Sequence, residues 1–338
     1  MLNPDSLQVF LVAAETENFS LAAQRLHLSQ PAVSQHIQGL EQRLGVALFD
    51  RSGRRIKLSA TGAALLPFAQ EVMRAHKQLE EAALACVGEV IGHLTIASSA
   101  TSARYVLPRL LAHYREQYPL VRATVLVRPQ AQVVDGLATG EIDLGVLYER
   151  TPRNGLRYHR FFQDELVLVA PAGHPWGERA SIEPHELYAE RFIMREPTSG
   201  TYATLRENLG AVGVEVDRLE RVLTVENSEA ILMAVEEGIG LGFVPCIAAR
   251  RCLAMGRIQR VPVRGVMMTR WLYLAQNVSR PQGPALNAFW RFMEEADVEG
   301  LLAAPAPICH TWQATPEPHA TASAPVIAYN LTLHASDR

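Results

Sequence analysis

Cysteine is scarce in this chain: four in 338 residues, Cys86, Cys246, Cys252 and Cys309, with no C-x-x-C pair and no histidine partner at a metal-site spacing. A disulfide scaffold and a zinc module are thereby excluded, and the thiols read as buried or incidental side chains. Cys246 and Cys252 are close enough in sequence to leave a redox-responsive pair open as an alternative. An excess of positive charge is missing too, since 32 Lys+Arg against 35 Asp+Glu give a net charge of −3. Any nucleic-acid contact must therefore come from a local basic patch, not a diffuse field. No apolar run approaches membrane-spanning length, and the opening M-L-N-P-D-S has no basic stretch followed by an apolar one. These absences predict a cytoplasmic chain with no membrane partner. His93, His113, His159, His174 and His185 are scattered, with no nucleophile elbow, phosphate loop or metal spacing around them. No catalytic residue, metal or cofactor is expected.

What is present is an ordinary globular composition, 48% hydrophobic and 20% charged, in a chain long enough for two or three domains. Asn3 and Pro4 read as the N-cap and first residue of a helix that turns Leu7, Phe10, Leu11 and Ala14 inward. The stretch Ser20 to Leu40, S-L-A-A-Q-R-L-H-L-S-Q-P-A-V-S-Q-H-I-Q-G-L, reads as two short helices joined by a tight turn. Ser20 caps the first helix, Ala22 and Ala23 let another helix cross closely, and His27 with Leu28 makes the turn. Ser29 caps the second helix, and Pro31 sits in its opening turn, where a missing N–H costs nothing. Val33, Ile37, Leu40 and Leu44 recur at helical spacing as a buried stripe, with Gln30, Ser34, Gln35 and Gln38 on the other side. Glutamine amides pair bidentately with adenine, and serine hydroxyls serve bases or phosphate. Ser29, Gln30, Pro31, Ser34, Gln35 and Gln38 are thus candidate major-groove residues, against the plainer reading of a capped hairpin with a neutral surface. The following run, A-L-F-D-R-S-G-R-R-I-K-L-S, alternates like a hairpin around Ser52 and Gly53. It forms a wing whose Arg51, Arg54, Arg55 and Lys57 can grip phosphates.

A longer helix starts between Ser59 and Gly62 and runs to about Val87. Leu65, Val72, Leu79 and Cys86 are spaced by seven, with Phe68, Ala75 and Ala82 three residues after the first three. That seam repeats every 3.5 residues and suits a pairing helix, with Leu65, Phe68, Val72 and Leu79 as dimerisation contacts and Pro67 as a place for a bend. Packing on its own domain is the alternative. From Gly92 strands and helices alternate, which predicts an α/β domain with largely parallel sheets, of one body or two lobes. Lobe crossings are expected near Phe161 to Glu165 and Val263 to Thr269. Hydroxyl-rich junctions stand at strand-to-helix turns: Ser98, Ser99, Thr101 and Ser102; Thr198, Ser199, Gly200 and Thr201; and Asn227 with Ser228. Hydroxyls and free N–H groups at helix starts favour anions, and ligands of open α/β sheets bind at the carboxyl ends of strands. N-capping explains each junction taken alone and is the favoured reading for Asn227 and Ser228. Arg128 and Arg195 are candidates for charge at the site, against the more ordinary reading of each as a surface or structural ion pair, and Tyr148 either lines or closes the site. From Ala303 the chain is rich in Ala, Pro, Thr and His without periodicity and should be disordered.

These residues together resemble the LysR-type transcriptional regulators, from Leu2 to about Val298. The string Asn18 to Arg51 is similar to that family's winged helix-turn-helix signature. Asp164 to Trp176 (D-E-L-V-L-V-A-P-A-G-H-P-W), Arg195 to Thr201 (R-E-P-T-S-G-T) and Glu236 to Pro245 (E-E-G-I-G-L-G-F-V-P) match further. Ala103 to Pro108 resembles the sulfur-assimilation and carbon-fixation branches, a segment too short to name an effector. The resemblance implies an α/β fold overall: a winged helix-turn-helix (1–60), a linker dimerisation helix (61–90), and a two-lobed periplasmic-binding-protein-like effector domain (91–302), ahead of the tail (303–338). It implies an activator or repressor that binds double-stranded promoter DNA as a homodimer or homotetramer, with RNA polymerase as a further partner. A small anionic effector would bind between the lobes, where Ser99, Thr101, Ser199 and Thr201 match hydroxyl positions of the family's pockets. The full candidate effector set is Ser98, Ser99, Thr101, Ser102, Arg128, Tyr148, Arg195, Ser199, Thr201 and Asn227. A solute-binding protein is the alternative from another class, and the fused Ser20 to Lys57 module argues against it.

Overall fold

Capping fixes the N-terminal helices in the computed structural model of this chain, which describes residues 2–50, 56–86 and 88–303. Helix α1 (Pro4–Thr16) starts on Asn3, whose Oδ1 accepts from Asp5 N at 3.0 Å. Helix α2 (Phe19–Leu26) is capped by Asn18, not Ser20: Asn18 Oδ1 accepts from Ser20 N at 2.9 Å and from Leu21 N at 3.1 Å. Its amide satisfies two orphan donors, which places Ser20 inside the first turn. His27, at φ +54, ends α2. Helix α3 (Gln30–Leu44) starts on Ser29, whose Oγ accepts from Ala32 N at 3.3 Å, and ends at Gly45 in the left-handed region. Val33, Ile37 and Leu40 enter one core with Phe10, Ala13, Ala22, Leu48 and Phe49. Leu44 does not; it is 37% exposed, because after Leu40 the core closes on Leu48 and Phe49, beyond the Gly45 turn.

Strands β1 (Phe49–Asp50) and β2 (Lys57–Leu58) pair antiparallel, Phe49 opposite Leu58, and form the base of the expected hairpin. Helix α4 (Ala60–Ala85) follows, about 39 Å long at 1.5 Å per residue. Ser59 Oγ caps it by accepting from Gly62 N at 2.9 Å while donating to Ala47 O at 2.7 Å. Pro67 lies within α4, which continues to Ala85.

The rest is one mixed sheet with helices on both faces. In chain order it runs β3 (Gly92–Ser98), α5 (Leu107–Gln117), β4 (Val121–Val127), α6 (Gln130–Thr139), β5 (Leu144–Leu147), β6 (Leu156–Pro171), β7 (Arg191–Arg195), α7 (Gly200–Ala211), β8 (Glu220–Val225), α8 (Ser228–Glu236), β9 (Leu241–Pro245), α9 (Cys246–Ala254), β10 (Ile258–Val261), β11 (Met268–Asn277), α10 (Pro284–Glu295) and α11 (Val298–Ala303). Strand order is β4-β3-β5-β11-β6-β9-β7-β8, with β10 on β6. Pairing is parallel among β3, β4 and β5 and among β7, β8 and β9; β6 and β11 are antiparallel to each other and to their other neighbours. The largely parallel expectation therefore holds within each lobe and fails where these two long strands pass through both.

The first crossing falls on β6 where expected. The second begins only at the end of the Val263 to Thr269 window: Val263 bridges Ile182 and stays in the second lobe, while Thr269, Arg270, Trp271 and Leu272 of β11 stand opposite Glu165, Asp164, Gln163 and Phe162. Alternation along β6 serves two layers: Leu166, Leu168 and Ala170 face one core of the second lobe, Val167 and Val169 the other. The first lobe closes around Leu94, Ile96, Tyr114 and Phe289, with Tyr114 Oη donating to Ala285 O at 2.9 Å. Ala303 closes α11, and the remainder of the tail, 304–338, lies outside the described residues. No helix among the described residues is long and apolar enough to cross a membrane.

Candidate nucleic-acid interface and ligand cleft

On α3 the buried stripe forces the polar positions outward. Ser29, Gln30, Pro31, Gln35 and Gln38 are exposed and Ser34 is half-buried, with Gln30 Nε2 donating to Ser34 Oγ at 3.0 Å. Two contacts hold this face in place. His36 Nδ1 lies 3.1 Å from Ser6 Oγ and ties α3 to α1, a role the sequence pattern did not signal. Glu41 Oε1 accepts from Leu48 N at 2.8 Å and Phe49 N at 3.3 Å, fixing the hairpin strand to α3. Lys57 is exposed on β2. Arg51, Arg54 and Arg55 lie outside the described residues.

Helix α4 has two unlike faces. Leu66, Ala69 and Met73 pack on the N-terminal core, and Leu65, expected in the pairing seam, is drawn half-buried into the same cluster. Further along, Arg74 Nη1 donates to Thr139 O at 3.3 Å and Gln78 Nε2 to Pro281 O at 3.2 Å, tying α4 to the first lobe. Phe68, Val72 and Leu79 remain 69%, 47% and 70% exposed. Ala75, Ala82 and Cys86 continue that exposed stripe.

A cleft of about 350 Å³, within the range of small-molecule sites, opens where the carboxyl ends of β3, β4, β5, β7 and β8 converge. Ser99, Thr101, Arg128, Tyr148, Arg195, Ser199 and Thr201 line it, so the fold gathers residues spread over a hundred positions. Ser102 lies deeper, with Ser99 Oγ donating to its hydroxyl at 3.3 Å. Residues Ser102–Val106 form a single π-helical turn before α5, and its Arg104 pairs with Glu229 of the opposite lobe. Ser199 Oγ caps α7 by accepting from Tyr202 N at 3.1 Å.

Two expected residues do not reach the cleft. Ser98, the last residue of β3, is sealed within the sheet with its hydroxyl donating to Ser99 O at 3.2 Å. Asn227 is occupied as the cap of α8, its Oδ1 accepting from Ala230 N at 2.8 Å, outside the lining residues. The rim arginines differ. Arg195 is held bidentately by Glu196 at 2.7 and 2.8 Å, whereas Arg128 is exposed and donates to Val127 O. The Tyr148 ring lies so close over Gly200 that a Cβ there would overlap it, and burial pushes its phenol above the ordinary tyrosine range.

The sequence pattern missed the pair at the base of the cleft, Arg270 and Asp164, which stand directly opposite on β11 and β6. Arg270 Nη2 and Nε donate to Asp164 Oδ2 at 3.0 and 3.3 Å, and Nη1 lies 3.4 Å from Thr201 Oγ1. Asp164 is 4% exposed. Burial pushes its carboxyl up, and the Arg270 charge pulls it back. The available signal was one-sided: Arg270 is the one charge in β11, but Asp164 shares β6 with Arg157, Arg160 and Glu165.

Cys246 and Cys252 sit six residues apart on α9, a rise of about 9 Å along the axis, beyond the roughly 7 Å Cα separation a disulfide spans. Burial pushes the Cys246 thiol up; burial, together with the Glu236 carboxylate, pushes Cys252 up to about 11. Neither is a nucleophilic thiolate near neutral pH, so the redox reading loses its pair. In the native protein iodoacetamide at pH 8 should therefore modify exposed Cys86 before Cys246 and Cys252. Cys252 should react only as pH rises toward 11, because its folded form holds the proton longer than a free thiol does. Peptide mapping that found Cys252 modified as fast as Cys86 would contradict this. Among the described residues no group of three or more His, Cys, Asp or Glu could hold a metal ion.

A capped helix-turn-helix with a two-stranded hairpin, joined by one long helix to a two-lobed α/β domain with a central cleft, defines a transcriptional regulator that carries its own effector-binding domain. Residues 4–63 match the family described as bacterial regulatory helix-turn-helix protein, lysR family, and residues 88–297 match the LysR substrate binding domain. The chain belongs to the LysR family of transcriptional regulators. A "Probable RuBisCO transcriptional regulator" of Trichormus variabilis is 30% identical, over 84% of this chain and 86% of its own length. Among solved structures, full-length CbnR complexed with its target DNA is 23% identical, with a TM-score of 0.61, over 86% of this chain and 99% of its own. The CcmR regulatory domain of Synechocystis PCC6803, in complex with 2-PG, is 24% identical, with a TM-score of 0.54, over 60% of this chain and 95% of its own. These two structures share the fold.

Proposed function

We propose that α3 reads promoter DNA in the major groove through Gln30, Ser34, Gln35 and Gln38, with Ser29 and Pro31 at the helix start. Lys57 and the wing residues Arg51, Arg54 and Arg55 supply the phosphate grip. The observation that carries this is the exposed glutamine and serine face of α3, backed by Val33, Ile37 and Leu40. Two copies pair through Phe68, Val72 and Leu79 of α4 and present two half-sites. A small anion binds among Ser99, Thr101, Ser102, Arg128, Tyr148, Arg195, Ser199 and Thr201, and acts by its differential affinity for two arrangements of the lobes. We place the functional boundaries at 1–60, 61–90 and 91–302. In this reading the protein works in the cytoplasm and has no catalytic role.

The test is a gel shift on an operator selected from randomised duplexes. Gln30→Ala, Ser34→Ala and Gln35→Ala should each relax base preference, by about 1–3 kcal/mol per lost bidentate pair, while leaving thermal unfolding unchanged. Wild-type preference in all three variants would remove α3 from the groove.

A further inference from the structure

The cleft holds one cation unlike those at its rim. The Arg195 and Arg270 side chains are each 11% exposed, but Arg195 is paired with its chain neighbour Glu196 at the rim and Arg128 is solvated, whereas Arg270 lies at the cleft base beside the buried hydroxyls of Thr101, Ser102 and Thr201. A guanidinium carries five N–H donors in a plane. Asp164 takes Nε and one N–H of Nη2 through a single carboxylate oxygen, and Thr201 takes one N–H of Nη1 at 3.4 Å. One N–H on each terminal nitrogen remains available to a carboxylate or phosphoryl group. Around the guanidinium stand Ser99, Thr101 and Ser102, with Tyr148 above. Thr101, Ser102 and Thr201 are themselves buried, so their hydroxyls meet a ligand in a medium where a charge-assisted hydrogen bond is strong.

We propose that Arg270 is the anchoring cation for the head group of a small organic anion, carboxylate or phosphoryl, and that Asp164 is its positioning residue. The proposal rests on the reading of the cleft as an anion site and adds the residue that decides affinity. Asp164 keeps Arg270 from being an unpaired buried charge when the cleft is empty and sets its fork toward the hydroxyls. The location also supplies a mechanism. Arg270 is on a crossing strand, Ser99 and Thr101 belong to the first lobe and Thr201 to the second, so a head group bound there ties both lobes to the strand between them.

The experiment is thermal unfolding of the full chain, at constant ionic strength, with inorganic phosphate, phosphoglycolate, oxalate or succinate as probes, because a ligand of the folded form raises the midpoint by mass action. Arg270→Gln alone leaves Asp164 a buried carboxylate without its counter-charge, so the main variant is the neutral pair Asp164→Asn with Arg270→Gln. Arg270→Lys keeps the charge and removes the fork. At least one probe should stabilise the wild type. The neutral pair should weaken its apparent affinity about 10- to 100-fold and Arg270→Lys about tenfold. Phosphate and phosphoglycolate against oxalate and succinate separate the two head groups. A midpoint shift preserved in either variant overturns the role of Arg270 and leaves the anion site standing. A wild type unmoved by all four probes overturns the anion reading and this proposal together.

Discussion

Replacing Phe68 and Leu79 together by aspartate is expected to yield a folded monomer that no longer holds two half-sites at once. Both side chains are about 70% exposed in the single chain, on the α4 stripe that repeats every 3.5 residues. The face that packs on the N-terminal core, with Leu66, Ala69 and Met73, is left intact. Burying each large side chain against a second copy is worth at least about 1.5 kcal/mol, and four are buried per pair. Losing them raises the dissociation constant by about four orders of magnitude. Facing aspartates add repulsion. Sedimentation velocity checks the first effect and a gel shift on full and half operators the second. A variant that sediments with the wild type would show that α4 is not the pairing element.

Gly62→Ala should unfold the N-terminal domain at a much lower temperature than the wild type. A Cβ at position 62 would overlap the Leu48 carbonyl oxygen and press on Leu58 Cδ2 at 3.0 Å. That carbonyl cannot give way, since it accepts from Ser59 N at 2.9 Å while Leu48 N is held by Glu41, and the Leu48 side chain is fully buried. Forced overpacking against backbone costs about 3 kcal/mol, which in a domain of this size lowers the midpoint by roughly 12 °C or more. Gly39→Ala, in α3 with open space around it, is the matched control and should be neutral or slightly stabilising. Calorimetry that gave equal midpoints for the two variants would refute the packing account.

Much of the N-terminal domain was legible from local chemistry. Ser29, Asn3 and Ser59 cap helices where a short polar residue meets an apolar period, and Val33, Ile37 and Leu40 are buried because spacing puts them on one face. The errors there are also local. Asn18 outcompetes Ser20 because its amide reaches two donors, and Leu65 turns inward because the domain core lies within its reach.

The cleft was legible only in part. Hydroxyls at strand ends pointed to Ser99, Thr101, Ser199 and Thr201, but the same signal marked Ser98 and Asn227, which the fold spends on sealing the sheet and capping a helix. Arg270 and Asp164, 106 positions apart in the chain, gave no joint signal. What the sequence by itself determined is everything carried by neighbours in the chain: helix starts, the exposed polar face of α3, the exposed apolar stripe of α4 and the alternation of strands with helices. Tertiary structure alone decided which way β6 and β11 run, which strand ends meet, and that a half-buried arginine faces a buried aspartate, because strand register is set by packing on both lobes and not by residues near in sequence.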